Sequence, residues 1–155
     1  MNGLQITSSP GIYALVLTSL KPVQLEFKRK LYQLNAGCYV YVGSAKGVGG
    51  LKARVSRHLK SEKKIRWHID YLTTGVTKPV CVIYAEDRAK ECVLVPRLES
   101  LGFEHPLQGF GSSDCREGCT SHILYLNASP SDCVRLVEEA FKLAGLKPQA
   151  LKLRC

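Results

Sequence analysis

The chain has 155 residues, of which 22 are Lys or Arg and 13 Asp or Glu, for a formal charge of +9. Apolar residues at 45% and charged residues at 23% are the proportions of a folded domain and exclude a wholly disordered chain. The length predicts a single domain over 1–155 and leaves no room for a second of full size.

No run approaches the roughly 18 apolar residues of a spanning helix. Met1 to Gln5 lack the basic stretch and apolar run of a secretory signal. The expectation is therefore a cytoplasmic protein with no membrane partner. Cysteines at 38, 81, 92, 115, 119, 133 and 155 are odd in number and sit mostly in apolar stretches. They are expected to be buried thiols or metal ligands.

In chain order, Ser8-Ser9-Pro10-Gly11 is a turn signal, and the apolar run Ile12 to Leu20 reads as a buried strand. Val23, Leu25 and Phe27 alternate with polar residues and predict a second strand. After the turn Asn35-Ala36-Gly37, Cys38 to Gly43 is a third. Gly47, Gly49 and Gly50 form a loop before a helix over 51–60, whose stripe is Leu51, Val55 and Leu59. Ile65 to Thr73 predicts another helix. Lys78-Pro79 reads as a break, Val80 to Ala85 as a strand, and Asp87 to Leu101 as a helix kinked by Pro96.

Residues 102–120 read as a glycine-rich loop and His122 to Leu126 as a short strand. The last helix is the clearest: Ser129 is its cap, Pro130 its first residue, and Val134, Val137, Phe141 and Ala144 its stripe, with Gly145 as the stop. The whole predicts an α+β domain with a small central mixed or antiparallel sheet flanked by helices.

Charge is concentrated. Residues 46–66 hold eight bases (Lys46, Lys52, Arg54, Arg57, Lys60, Lys63, Lys64, Arg66) against one acid, Glu62. Such a segment is a footprint for phosphate and points to nucleic acid.

Strand alternation puts Tyr13 on the face opposite Ile12 and Ala14, and Tyr39 and Tyr41 on one face together. If the strands pair, two tyrosines converge. On the helix after the glycine loop, Arg54 and His58 are i, i+4 neighbours beside the apolar stripe, able to point toward the tyrosines, while Arg57 and Lys60 face water. Arg offers a fork of donors to phosphate, and His moves protons near neutral pH. A wheel of the 87–101 helix puts Glu91 among Leu94, Val95 and Leu98, where a carboxylate needs a partner.

Gly11-Ile12-Tyr13, Tyr41-Val42-Gly43, Arg54 and Glu91, in that order over residues 11–101, resemble the GIY-YIG nuclease family. Residues Tyr41-Val42-Gly43-Ser44-Ala45-Lys46 and Arg54-Val55-Ser56-Arg57-His58 are similar to segments of phage homing endonucleases and of the incision subunit of bacterial nucleotide-excision repair. Trp67-His68-Ile69-Asp70-Tyr71-Leu72 and Gly109-Phe110-Gly111-Ser112-Ser113-Asp114-Cys115 resemble a compact stand-alone branch of that family.

The resemblance implies a GIY-YIG-like fold and a metal-dependent phosphodiesterase. Glu91 would hold one Mg²⁺ or Mn²⁺. Tyr13 would orient or deprotonate the attacking water, with Arg54 supplying positive charge, Tyr41 completing the hydrogen bonds and His58 relaying a proton. Gly11 and Gly43 would let backbone and phosphate approach closely. Asp114 or His122 would stand where the family often has a closing asparagine. Between the two tyrosine motifs the chain is long for the family and carries Lys28-Arg29-Lys30. Lys46, Lys52, Arg57, Lys60, Lys63, Lys64 and Arg66 would bind nucleic acid, DNA in preference to RNA, and specificity would come from loops, a protein partner or self-association.

Two other readings stand beside the nuclease. One is a non-catalytic nucleic-acid-binding module on the same scaffold. The other is a zinc-stabilised interaction domain using Cys115, Cys119 and His122, with His105, Cys81 or Asp114 as the fourth Zn²⁺ ligand.

Overall fold

A computed structural model describes residues 6–27, 29–60, 77–87, 91–106 and 121–153. The fold is α+β, as the residue pattern predicts. Its main sheet has five strands: β1 (Gly11–Ser19), β4 (Gly37–Ala45), β5 (Lys78–Ala85), β6 (Ile123–Leu126) and β7 (Gln149–Lys152), in the order β6-β4-β1-β5-β7. Every pairing in it is antiparallel. Strand β1 lies at the centre with both faces covered, which is why its sequence is a continuous apolar run rather than an alternating one.

Two apolar clusters form, one on each face. Ile12, Ala14 and Val16 of β1 face helices α2 (Val95–Ser100) and α3 (Pro130–Leu143). Tyr13, Leu15 and Leu17 face helix α1 (Gly50–His58) and a separate hairpin of β2 (Val23–Phe27) and β3 (Lys30–Leu34). The second strand of that hairpin was not expected. The strand is short and largely exposed, with Lys30 and Gln33 among its five residues, and its turn holds Arg29 at φ 62°, a conformation no turn residue in the sequence announces.

Helix α3 follows its signals closely. The Ser129 hydroxyl accepts from the Asp132 N–H at 3.2 Å. At the other end the N–H of Gly145 donates to the Lys142 carbonyl, and that of Leu146 to Phe141. This is the Schellman ending, with Leu146 and Phe141 both buried against the core. The inward stripe also includes Cys133 and Ala140.

The expectation of one helix from Asp87 to Leu101 is corrected. Residues Glu91–Val93 form a single 3₁₀ turn, and α2 begins only at Val95. Pro96 sits in the first turn of α2, where its missing N–H is not needed, so it starts a helix instead of kinking one. Lys78-Pro79 likewise lies inside β5. Register shifts between Val16 and Leu17, which face Cys81 and Pro79 in turn, so Val80 is the extra residue of a bulge that the proline borders. The predicted helix over 65–73 lies outside the described residues. Strand β7, from the basic tail, was not foreseen.

Cysteines 38 and 133 are joined in a disulfide between β4 and α3, and Cys92 is disulfide-bonded too, which corrects the thiol expectation for all three. Cys81 keeps its thiol, in the core under α3. Burial, assisted by the negative charge of Glu138, pushes its pKa up to about 11.

Candidate functional site

The register of β1 against β4 sets Tyr13 opposite Gly43 and Leu15 opposite Tyr41. The two tyrosines are therefore diagonal neighbours on one face, with ring centroids 6.4 Å apart. Helix α1 crosses that face and buries Leu51, Val55 and His58. The stripe turns at i, i+4, i+7, so His58 takes the place expected for Leu59, and the histidine points into the sheet instead of beside it.

His58 Nε2 lies 2.7 Å from the Tyr13 hydroxyl oxygen. Its ring is 5.4 Å from Tyr13 and meets Tyr41 edge-on at 5.8 Å. Tyr13 and His58 are each 1% exposed and Tyr41 9%. The hydrogen bond thus forms where water does not compete for either partner.

Gly11 and Gly43 each have a packing role. A Cβ added at Gly43 would stand 2.5 Å from the Tyr13 hydroxyl oxygen and 2.6 Å from Cζ. Gly43 makes room for the Tyr13 ring. At Gly11 a Cβ would meet Leu51 Cδ1 and the Ala85 carbonyl, each at 2.5 Å, so that glycine admits the helix and the neighbouring strand.

Arg54 Nη1 donates to the Ser44 carbonyl at 3.2 Å, which ties the start of α1 to the end of β4. Arg54 and Arg57 together line an open hollow of about 200 Å³ with Ala45, Gly47, Val48, Gly50 and Ala53. Arg57 was expected to face water, but it is half-buried and shares the hollow. One turn along a helix keeps i and i+3 on the same side, the signal that reasoning from the apolar stripe alone overlooks.

The helix N-terminus is not part of this site. The N–H groups of Gly50, Leu51, Lys52 and Ala53 donate to the carbonyls of Gly47, Ser9, Thr7 and Gly49. Gly50, at φ 56°, is what lets the Ser8 and Ser9 carbonyls come so close. An anion in the hollow would be met by guanidinium groups rather than by the helix end. Lys46, Lys52 and Lys60 are exposed around α1. Lys63, Lys64 and Arg66 lie outside the described residues.

By its backbone, Glu91 opens the 3₁₀ turn; its side chain lies outside the described part of the structure. The next residue, Cys92, has Sγ 3.3 Å from His122 Nε2, and the His122 carbonyl accepts from Val42 N–H at 2.9 Å. The turn therefore sits near the end of β4 on the side of β6, and Val93 and Leu94 pack into the cluster shared with α2 and α3. One carboxylate with waters and a substrate phosphate is an ordinary arrangement for Mg²⁺, and that is the role expected of Glu91 from the sequence. Zn²⁺ needs a fuller cage, and no group of three His, Cys, Asp or Glu gathers among the described residues.

Cys115, Cys119 and Asp114 lie outside the described residues, and His122 is buried against Cys92. His105 is engaged by Ser121 at 2.8 Å and Glu99 at 2.9 Å.

A family model described as a domain of unknown function, DUF123, matches residues 12–144. No curated protein and no solved structure matches the chain.

Proposed function

The chain belongs to the DUF123 family, and from the buried tyrosine–histidine contact beside a two-arginine hollow we propose that it is a divalent-metal-dependent nuclease hydrolysing phosphodiester bonds in nucleic acid, DNA in preference to RNA. The carrying observation is the 2.7 Å separation of Tyr13 Oη and His58 Nε2. A phenol has an ordinary pKa near 10 and is a poor base unless its proton has somewhere to go. His58 is that acceptor in this reading: as Tyr13 takes a proton from the attacking water, its own passes to Nε2. Tyr41 holds the imidazole edge-on and limits its rotation.

Arg54 and Arg57 are the groups on the hollow that would bind the phosphate and oppose its growing negative charge. A divalent ion on Glu91 would neutralise the phosphate further. The basic surface of α1, with Lys46, Lys52 and Lys60, supplies affinity without sequence preference.

The test is a cleavage panel of single-stranded, duplex and branched DNA and RNA, with Mg²⁺, Mn²⁺ or EDTA. Wild type should cut with the metals and not with EDTA. Tyr13→Phe should lose about 10²- to 10⁴-fold in rate, as removal of an acid–base group does, while still binding. Glu91→Ala should behave alike. Unchanged cutting by Tyr13→Phe would remove the tyrosine from the chemistry. Binding that is salt-sensitive and equal in all three proteins, without cutting by any, would leave the binding module as the function.

A further inference from the structure

We propose that the β2–β3 hairpin is a ribbon that enters the major groove of duplex DNA and reads base edges there. The inference deepens the nuclease reading, since it names the substrate class, and it rests on that reading only for what happens after binding.

The hairpin register sorts its residues into two faces. Val23 pairs with Leu34 and Leu25 with Tyr32, and these point inward. Leu25 and Leu34 are buried, and all four join the cluster that holds Tyr13, Tyr41 and Val55. The ribbon is thus mounted on the sheet face that carries the candidate site.

The outward face consists of Gln24 directly opposite Gln33 and Glu26 directly opposite Leu31, all exposed, with Leu31 at 63%. The cations stand apart from these four. Lys21 precedes the hairpin, and Arg29 and Lys30 lie at its turn. Lys30 Nζ lies 5.5 Å from the centroid of the Tyr32 ring, which draws it to the flank of the ribbon.

That division matches the chemistry of a groove. Phosphates line its two walls and attract cations at the periphery, while the floor presents base edges. Glutamine amides pair with adenine, a carboxylate accepts from the cytosine amino group, and an apolar side chain meets the thymine methyl. Two strands about 4.8 Å apart fit a groove roughly 12 Å wide. The narrow major groove of A-form RNA would refuse them, so the ribbon selects DNA.

The test uses the full chain in EDTA, where no cutting occurs. Fluorescence anisotropy is measured on a mixed-sequence DNA duplex and on its RNA counterpart across a salt series, with dimethyl sulfate probing of guanine N7 in the complex. Wild type should prefer the DNA duplex and protect N7, a major-groove atom. Arg29→Ala with Lys30→Ala should bind more weakly, with a log–log salt slope shallower by about 2. Gln24→Ala with Gln33→Ala should keep that slope. It should also flatten the preference for sequences selected from a random pool, by roughly 5- to 100-fold at the contacted pair.

All four side chains are exposed, and matching thermal melts would show that the fold is kept. N7 left open, equal affinity for RNA, or an Arg29/Lys30 variant with wild-type slope would overturn the ribbon and leave that face to a protein partner or to solvent. A ribbon that passes in a protein that cuts nothing would sink only the nuclease. Cutting that survives with the ribbon refuted would sink only the ribbon.

Discussion

At the scale of single residues, Tyr13 is positioned by what it touches on three sides: Gly43 beneath its hydroxyl, His58 at hydrogen-bond distance, and Tyr41 across the strand pair. The convergence of Tyr13 and Tyr41 was legible in strand alternation. The reach of His58 toward the tyrosines was legible too, but its place within the apolar stripe rather than beside it was not, because the two differ by one residue of helix phase. A coupling follows from the crowding at Gly43. The three heavy atoms outside its chain neighbours that lie nearest to a Cβ added there all belong to Tyr13, so Gly43→Ala should destabilise the fold strongly in the wild-type background and much less when Tyr13→Ala is also present. Urea unfolding of both single variants and the double should show an interaction energy of about 1–3 kcal/mol. Additive effects would mean that the strain at Gly43 lies elsewhere.

At the scale of elements, the legible ones carried local signals. Helix α3 had its cap, its proline, its stripe and its glycine, and it forms over nearly the span these predict. Helix α2 misled because a proline opening a short helix looks, in a row of letters, like a proline breaking a long one. Strands β3 and β7 were missed for a common reason: both are short and largely exposed, and only a partner strand makes them strands.

The bond between Cys38 and Cys133 belongs to this scale too, since it fastens β4 to α3 across 95 residues. Closing so long a loop restricts the unfolded chain, and losing it should cost on the order of 4 kcal/mol. Non-reducing peptide mapping should recover the linked pair. Dithiothreitol should lower the urea midpoint of wild type, and by less in a Cys38→Ala, Cys133→Ala double variant, which keeps the bond at Cys92. A midpoint in wild type indifferent to reductant would mean that the bond does not hold the fold in solution.

At the scale of the molecule, the sheet divides the protein into two faces with different tasks. One packs α2 and α3 into the larger apolar cluster. The other holds the tyrosines, α1 and the hairpin. Two acids deep in these layers tie stability to alkaline pH. Burial, and next to it Tyr125, holds the Tyr39 phenol well above its ordinary 10.0, and burial lifts Cys81 from 9.0 to about 11. Both folded values exceed the unfolded ones, so the unfolded chain gives up these protons first. Their contribution is whole below pH 9 and is lost as pH rises through the folded values. The melting temperature should fall above pH 9, and less steeply in Tyr39→Phe and Cys81→Ala than in wild type. Equal slopes in all three would show that other groups govern the alkaline limit.

Local order accounts for what could be read without the fold. Period-2 and period-3.6 patterns, turn residues and one complete set of caps are properties of neighbours in the chain, and they sufficed for the α+β class, the tyrosine face and most elements. The pairing of β4 and β5 on either side of β1, the disulfide, and the meeting of His58 with Tyr13 join residues far apart in the chain. So does the mounting of the β2–β3 hairpin on the face of the site. Such contacts depend on which surfaces bury each other best, a choice made by the whole chain at once, and only the tertiary structure contains it.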